Sequence, residues 1–292
     1  MNVVVGATGL VGGEVCRLLA ESGQPVRALV RPTAGTDAVA RLRDLGVTII
    51  RGDLKDPDSI AALCRNATTV ISTASSTLRR QQGDSIDTVD RDGQVGLVDA
   101  AEKAGAGHFV LISFPPIELE FPLQAAKRAV ERRLAAGRMN FTILQPTCFM
   151  EIWLSPALGF DPARGTATVC GSGRNKVSWI SYLDVARFAT AAFGNPAAMN
   201  AVLRLGGPDA LSPVEVVSMA EQLTHKPIAI QPVPEEALRS QYDAASDPLQ
   251  RSMSALMHYC ARGDVIDMTQ VLPAFPEFRR RAVRDHLRQI LA

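Results

Sequence analysis

Residues 2–12 constrain this chain more than any other stretch. A strand-length run, Asn2 followed by three valines to Val5, passes without a linker into Gly6-Ala7-Thr8-Gly9-Leu10-Val11-Gly12, and helical periodicity begins inside that segment. A strand that enters a helix through GxxGxxG has a specific use for each glycine. Gly6 permits a tight turn, Gly9 lets the backbone approach a pyrophosphate, and Gly12 lets the helix pack close to the strand. The helix start adds free N–H groups and a partial positive charge. Gly6, Thr8, Gly9, Leu10, Val11 and Gly12 are therefore candidate dinucleotide contacts. A nucleotide P-loop would end in Gly-Lys-Ser/Thr, whereas Gly12 is followed by Gly13 and Glu14. The glycines alone leave a methyltransferase open.

Strand-length apolar runs then alternate with helical patterns. Strands are expected at 2–5, 25–30, 47–50, 69–73, 109–114 and 141–144. Helices are expected at 10–22, 38–45, 57–64, 89–104 and 123–136, with Asp56 as an N-cap before Pro57. β-α alternation with near-continuous apolar strands implies an α/β fold, a doubly wound Rossmann-type parallel sheet covered on both faces. Past Pro146 the pattern breaks. A strand-helix unit at 177–180 and 184–193 is expected to return to the main body. Beyond it come strands at 202–205 and 228–233 and helices at 212–223, 247–262 and 276–291. Ser212 and Glu215 form a capping-box pattern. The expectation is a dinucleotide-binding domain over 1–152 and a smaller, discontinuous α+β substrate lobe over 153–292.

Composition removes several functional classes. The formal charge of +1 gives no global attraction to nucleic acid or anionic lipid. Five cysteines without a CxxC pair, and four scattered histidines, argue against a disulfide framework or a metal site. The first apolar run meets glycine too early for a signal peptide, and no run reaches membrane-spanning length, so a cytoplasmic chain is expected. It would be a monomer or homodimer with no nucleic-acid or membrane partner.

Arg31 selects between cofactors. NAD binders usually carry a carboxylate at the end of the second strand, to accept from the ribose hydroxyls. Here that strand ends Ala28-Leu29-Val30 and Arg31 follows. A guanidinium grips a 2′-phosphate through paired hydrogen bonds, and Thr33 adds a hydroxyl. NADP(H) is therefore expected over NAD, against the alternative of a solvated arginine. Asp53, with Leu54, is placed to meet the adenine amino group, or else caps its own turn. Thr73, Ala74 and Ser75 are placed to line the ribose and pyrophosphate.

The motifs together resemble the atypical short-chain dehydrogenase/reductases, in the NmrA-like and isoflavone-reductase-like branch. They are VVVGATGLVGGEV, ALVRP, GDLKDPDSI, the strand-end Ser113, AAKRAVE around Lys127, FTILQPTCFME, VSWISYLDVA and LGGPDALSPVE. That resemblance implies a Rossmann fold with NADPH, and either a reductase or a regulator that binds dinucleotide without turning it over. The usual Tyr-x-x-x-Lys is absent. Tyr182, Tyr242 and Tyr259 are followed four residues on by Ala186, Ser246 and Gly263, and Leu123 takes the tyrosine place before Lys127.

Lys127 stands out because the chain has only five lysines against 26 arginines. It is expected to bind the nicotinamide ribose and to serve as proton donor, or else to be a solvated lysine paired with Glu131. Ser113 either orients a substrate oxygen or satisfies itself in the Ser113-Phe114-Pro115 turn. Pro146, Thr147, Cys148 and Phe149 form the expected nicotinamide shelf, with Cys148 read as a packing residue rather than a reactive thiol. Phe114, Phe149, Met150, Trp153, Phe160 and Trp179 make either an apolar substrate cleft or core. The expected function is NADPH-dependent reduction of a small apolar carbonyl, enone or quinone. The alternative is a dinucleotide-sensing regulator acting through a protein partner.

Overall fold

In a computed structural model, which describes residues 1–78, 80–275 and 279–291, the apolar runs of the first half join one sheet. Its strands are β1 (Asn2–Val5), β2 (Val26–Val30), β3 (Thr48–Arg51), β4 (Thr69–Ser72), β5 (His108–Ile112) and β6 (Asn140–Pro146). All their pairings are parallel, with Val5 opposite both Leu29 and Ser72. A parallel pair needs a crossover, and helices supply it. These are α1 (Leu10–Glu21), α2 (Thr36–Asp44), α3 (Pro57–Cys64), α4 (Gln94–Lys103) and α5 (Pro122–Ala136). Asp56 caps α3 as expected, accepting from the N–H groups of Asp58 and Ser59 at 3.2 Å each.

The strand order is β3-β2-β1-β4-β5-β6-β9, where β9 is Ala201–Leu205. Strand order therefore reverses between β1 and β4, and the carboxyl ends of those two strands open the crevice where such sheets bind ligands. The chain divides into two compact units. The first comprises Met1–Ser113, Pro122–Gln145 and Val185–Leu203, and its core packs Phe109, Leu111, Leu97, Leu63 and Ile143.

The second unit comprises Phe114–Phe121, Pro146–Asp184 and the chain from Arg204 on. It contains α6 (Met150–Trp153), β7 (Phe160–Asp161), β8 (Thr166–Cys170), α8 (Pro213–Thr224), β10 (Ala229–Val233), α9 (Glu235–Ala244), α10 (Pro248–Arg262) and α11 (Val283–Leu291). Helix α7 is Tyr182–Ala191, and its residues from Val185 on belong to the first unit; the second unit keeps its own sheet. A three-stranded sheet, β10-β8-β7, forms its framework. Ser212 and Glu215 make the reciprocal capping box on α8.

Four expectations are corrected. Residues 177–180 form isolated bridges to Phe149, Leu211 and Asp264 rather than a strand. The seventh strand of the main sheet is β9, since Asn200 and Phe141 tie its entrance to β6. The helix expected over 89–104 starts at Ile86, and its first eight residues wind as a π-helix to Gly93. Ser85 and Thr88 cap each other there, and a Cβ on Gly93 would lie 3.0 Å from the Leu54 carbonyl oxygen. The expected helix at 276–291 is seen from Val283, and its first three residues lie outside the described residues. Strand β8 and helix α9 went unread because Thr-Ala-Thr-Val and Glu-Glu-Ala-Leu-Arg bury only alternate or widely spaced side chains.

Phe109 is fully buried in the middle of this sheet. Phe109→Ala should cost about 3–5 kcal/mol through lost burial and a residual cavity. The urea midpoint at unchanged slope reads it; a loss below about 1 kcal/mol would contradict the packing.

Candidate functional site

The turn after β1 is built by contact with the end of β4. Gly6 has φ +84°, and a Cβ there would sit 2.4 Å from Thr73 Oγ1 and 2.8 Å from the Ala74 nitrogen. A Cβ on Gly12 would meet the Gly6 carbonyl oxygen at 2.3 Å. Thr73 closes the junction, its hydroxyl donating to the carbonyls of Val5 (3.1 Å) and Gly6 (3.4 Å). Gly9 is different. It is exposed, and its Cβ position meets only the Gly6 oxygen, at 3.2 Å. No side chain caps α1 and no acidic residue lies in its first turn. Thr8 is half-buried and Leu10 exposed, whereas Val11 and Leu54 put their side chains into the core.

Beside β2 the structure assembles a charged cluster. Arg31 Nη1 lies 2.7 Å from Asp84 Oδ2, and Lys55 reaches both Asp84 and Asp53, the latter at 3.3 Å. Thr33 donates to Gln81 Oε1 at 2.5 Å, and Gln81 donates to Asp53. Asp53 also accepts from the Lys55 N–H at 2.9 Å, so it does cap its own turn. The Asp84 side chain is almost wholly buried, yet its hydrogen bonds from Lys55 and Gln81, with the charge of Arg31, outweigh burial and hold its carboxyl below the ordinary range. Lys55, Gln81 and Asp84 were not expected from the sequence. Their polar segment carries no periodicity that marks a contact across 29 or 53 positions.

The third part lies under the end of β4. Lys127 is 5% exposed, so it is not a solvated lysine. Its Nζ donates to the carbonyls of Ile112 (3.4 Å) and Ala74 (3.5 Å) and lies 3.9 Å from Asp90 Oδ1. Burial pushes its pKa down, while the charges of Asp90 and Glu131 act the other way. Glu131 is bonded to Arg128 and accepts from Gln145 at 3.1 Å. Asp90 is fully buried and its Oδ2 accepts from Ser76 N (3.0 Å) and Oγ (2.6 Å). Gln94 completes the network, receiving from Ser72 at 2.7 Å and donating to the Ala74 carbonyl at 2.9 Å. Ser75 spends its hydroxyl on Thr77. The Ser113 hydroxyl is buried and has no hydrogen-bond partner among the described residues, so the Ser113-Phe114-Pro115 turn does not satisfy it.

Asp90 was legible in principle. It stands at a core-facing position of the run Ile86, Val89, Asp90, Gly93, Leu97, where a carboxylate is out of place.

The residues expected as a nicotinamide shelf, Pro146 at the end of β6 and Thr147, Cys148 and Phe149 after it, belong to the second unit. Thr147 donates to the Ser178 carbonyl, and the Cys148 carbonyl accepts from Ile180 at 3.1 Å. A hydrogen bond with Cys260, then burial, push the Cys148 thiol well up, the direction opposite to that of an activated thiolate. Pro146 is buried and Phe149 half-buried. The aromatic group separates. Met150, Trp153, Phe160 and Trp179 pack in the second unit's core, where a cavity of about 50 Å³ is lined by Trp153, Phe160, Trp179 and Cys260. Phe114 instead stacks on Phe121, with ring centres 5.8 Å apart.

The NmrA-like family profile matches residues 2–271. The chain belongs to the NmrA-like family. It is 29% identical over 238 residues to the photosystem II assembly factor Ycf39 of Trieres chinensis, covering 80% of this chain and 72% of that protein. It is 30% identical over 230 residues to the NAD(P)H azoreductase of Xenophilus azovorans, covering 78% and 75%. Among solved structures, leucoanthocyanidin reductase of Vitis vinifera in its binary complex with NADPH shares the fold. Its TM-score is 0.81 at 19% identity, over 99% of this chain and 98% of that one.

Gly12→Ala should lower the melting temperature, because the added methyl has backbone at 2.3 Å and nowhere to go. Gly96→Ala on α4 meets only Ile60 Cδ1, at 3.8 Å, and should instead stabilise by about 0.5–1 kcal/mol. Thermal melts of the two variants check this, and equal shifts would contradict the turn packing.

Proposed function

We propose that this chain is an NADPH-dependent oxidoreductase that reduces a small apolar carbonyl, enone or quinone. Two buried groups carry the reading: the Lys127 ammonium, which donates to the Ile112 carbonyl at the end of β5, and the hydroxyl of the next residue in the chain, Ser113, which has no hydrogen-bond partner among the described residues. Leaving a buried hydroxyl without a partner costs free energy, so a group that accepts or donates there is favoured. The turn fits the cofactor too. Gly6 and Gly12 draw the backbone in, Gly9 is open on its outer side, and the α1 start offers N–H groups to an anion. The relative named as an NAD(P)H azoreductase supports a nicotinamide dinucleotide, and the leucoanthocyanidin reductase of similar fold, in complex with NADPH, supports NADPH.

Arg31 and Lys55 would hold the 2′-phosphate, with Gly9 to Gly12 at the pyrophosphate and Lys127 at the nicotinamide ribose. When bound, NADPH supplies a hydride. Ser113 would orient the substrate oxygen by hydrogen bonding, and Lys127 would supply the proton that the reduced substrate takes. Burial at Lys127 serves that task, since a lowered pKa brings an ammonium closer to the acid strength useful near neutrality. Leu123 at the tyrosine place leaves no phenol to do it.

A second reading has one observation in its favour. The relative from Trieres chinensis is named as an assembly factor, which fits a chain that binds dinucleotide and acts through a protein partner.

NADPH oxidation against a panel of quinones, enones and azo dyes separates the two. Turnover with any of them, lost by at least about a hundredfold in Lys127→Met, is the expected result. Tight NADPH binding with no turnover on the panel would favour the second reading. Arg31→Ala should weaken NADPH by about tenfold or more while leaving NADH within about twofold, since one charge-assisted pair is removed. Equal weakening of both nucleotides, measured by fluorescence titration, would contradict the role of Arg31.

A further inference from the structure

We propose that Asp90 is the positioning residue of Lys127, its buried carboxylate fixing where the ammonium sits under the end of β4. The catalytic consequence rests on the reading of Lys127 given above, but the interaction itself does not.

A fully buried carboxylate costs several kcal/mol unless it is paired and hydrogen-bonded. Asp90 meets that demand on one side only. Its Oδ2 takes both the backbone and the hydroxyl of Ser76. Its Oδ1 receives no hydrogen bond among the described residues, and Lys127 Nζ stands 3.9 Å from it. That separation is too long for a direct hydrogen bond and well within Coulombic range. One small hydroxyl-bearing group between the two would satisfy both. The carbonyls of Ile112 and Ala74, at 3.4 and 3.5 Å, are long contacts and hold the ammonium only loosely. Charge from Asp90 therefore does most to place it.

The backbone supports this use. Asp90 lies on the π-helical turn Ile86–Gly93, a distortion that tends to occur where a side chain must be aimed. The Ser85–Thr88 cap fixes its start, and contact of Gly93 with Leu54 fixes its end. Glu131 and Arg128 also act on Lys127, but both sit on its own helix and act with opposite signs. Asp90 is the charge that faces Lys127 from another element.

The test uses the full chain without cofactor. With only five lysines, carbon-13-labelled lysine gives few NMR signals, and Lys127→Arg assigns the one that matters. In D90N, the Lys127 titration should move to lower pH than in the unaltered chain, because the charge favouring the ammonium is gone. The other lysines should titrate as before. A Lys127 midpoint unchanged in D90N overturns the proposal, whatever its effect on stability. The second arm is a double-mutant cycle by thermal melting on D90N, K127M and the double variant. The double variant should lose less than the two single losses together, and it should fold even where a single variant does not. Additive losses overturn the proposal. Where the unaltered chain oxidises NADPH, D90N should also lower kcat on the order of tenfold with little change in KM. Absence of any NADPH oxidation would count against the reductase reading and leave both other arms to decide on Asp90.

Discussion

The helix after β1 and the end of β4 both press against the carbonyl of Gly6, and the geometry of the candidate site depends on that approach. Two missing side chains make it possible, and the Thr73 hydroxyl holds it closed. The result is a helix start brought to the carboxyl edge of the sheet, at the point where strand order reverses between β1 and β4. Everything assigned to the first unit's site stands around that edge. Arg31 follows β2, Asp53 follows β3, Thr73 to Ser76 follow β4, and Ser113 follows β5. A parallel sheet with crossovers gathers these strand ends on one side without any further design.

Two polar groups of opposite character flank the turn. Around Arg31, the cations Arg31 and Lys55 are partly exposed and are balanced by Asp53 and by the buried Asp84. Around Lys127 the groups are buried and mostly hydrogen-bonded, and among the described residues Asp90 Oδ1 and the Ser113 hydroxyl, with the neighbouring Arg128 Nε, are buried atoms that receive or make no hydrogen bond. Such unfinished hydrogen bonding in a buried network is costly unless something completes it. Stability alone would favour apolar residues at positions 90 and 113, so the network points toward a role with a ligand.

Much of this was legible in the sequence because it rests on local rules. Glycine spacing, strand periodicity and caps at Asp56 and Ser212 are set by residues within four positions of each other. Lys127 stood out by its rarity, and its burial on α5 follows from Leu123, Ala126 and Val130 on the same face. What escaped is non-local. Asp84, which pairs with Arg31, lies on a segment with no repeating pattern, and the close approach of Gly93 to Leu54 joins positions 39 residues apart. In the second unit, short strands such as β7 and β8, and a helix with two buried side chains, carry too little periodicity to announce themselves. The aromatic residues there looked like one cluster because sequence proximity does not tell which ring faces which core.

In the proposed reaction the substrate, oriented by Ser113, would take a hydride directly from NADPH held at this turn, while Lys127 supplies the proton. The most direct measurement follows deuterium from C4-labelled NADPH into the carbon skeleton of an enone product by mass spectrometry. The account predicts deuterium on the product carbon, with transfer abolished when Lys127 is replaced by Met. NADPH bound at one site per chain, with no deuterium reaching any carbonyl or enone product and no NADPH oxidised by any quinone, would contradict it.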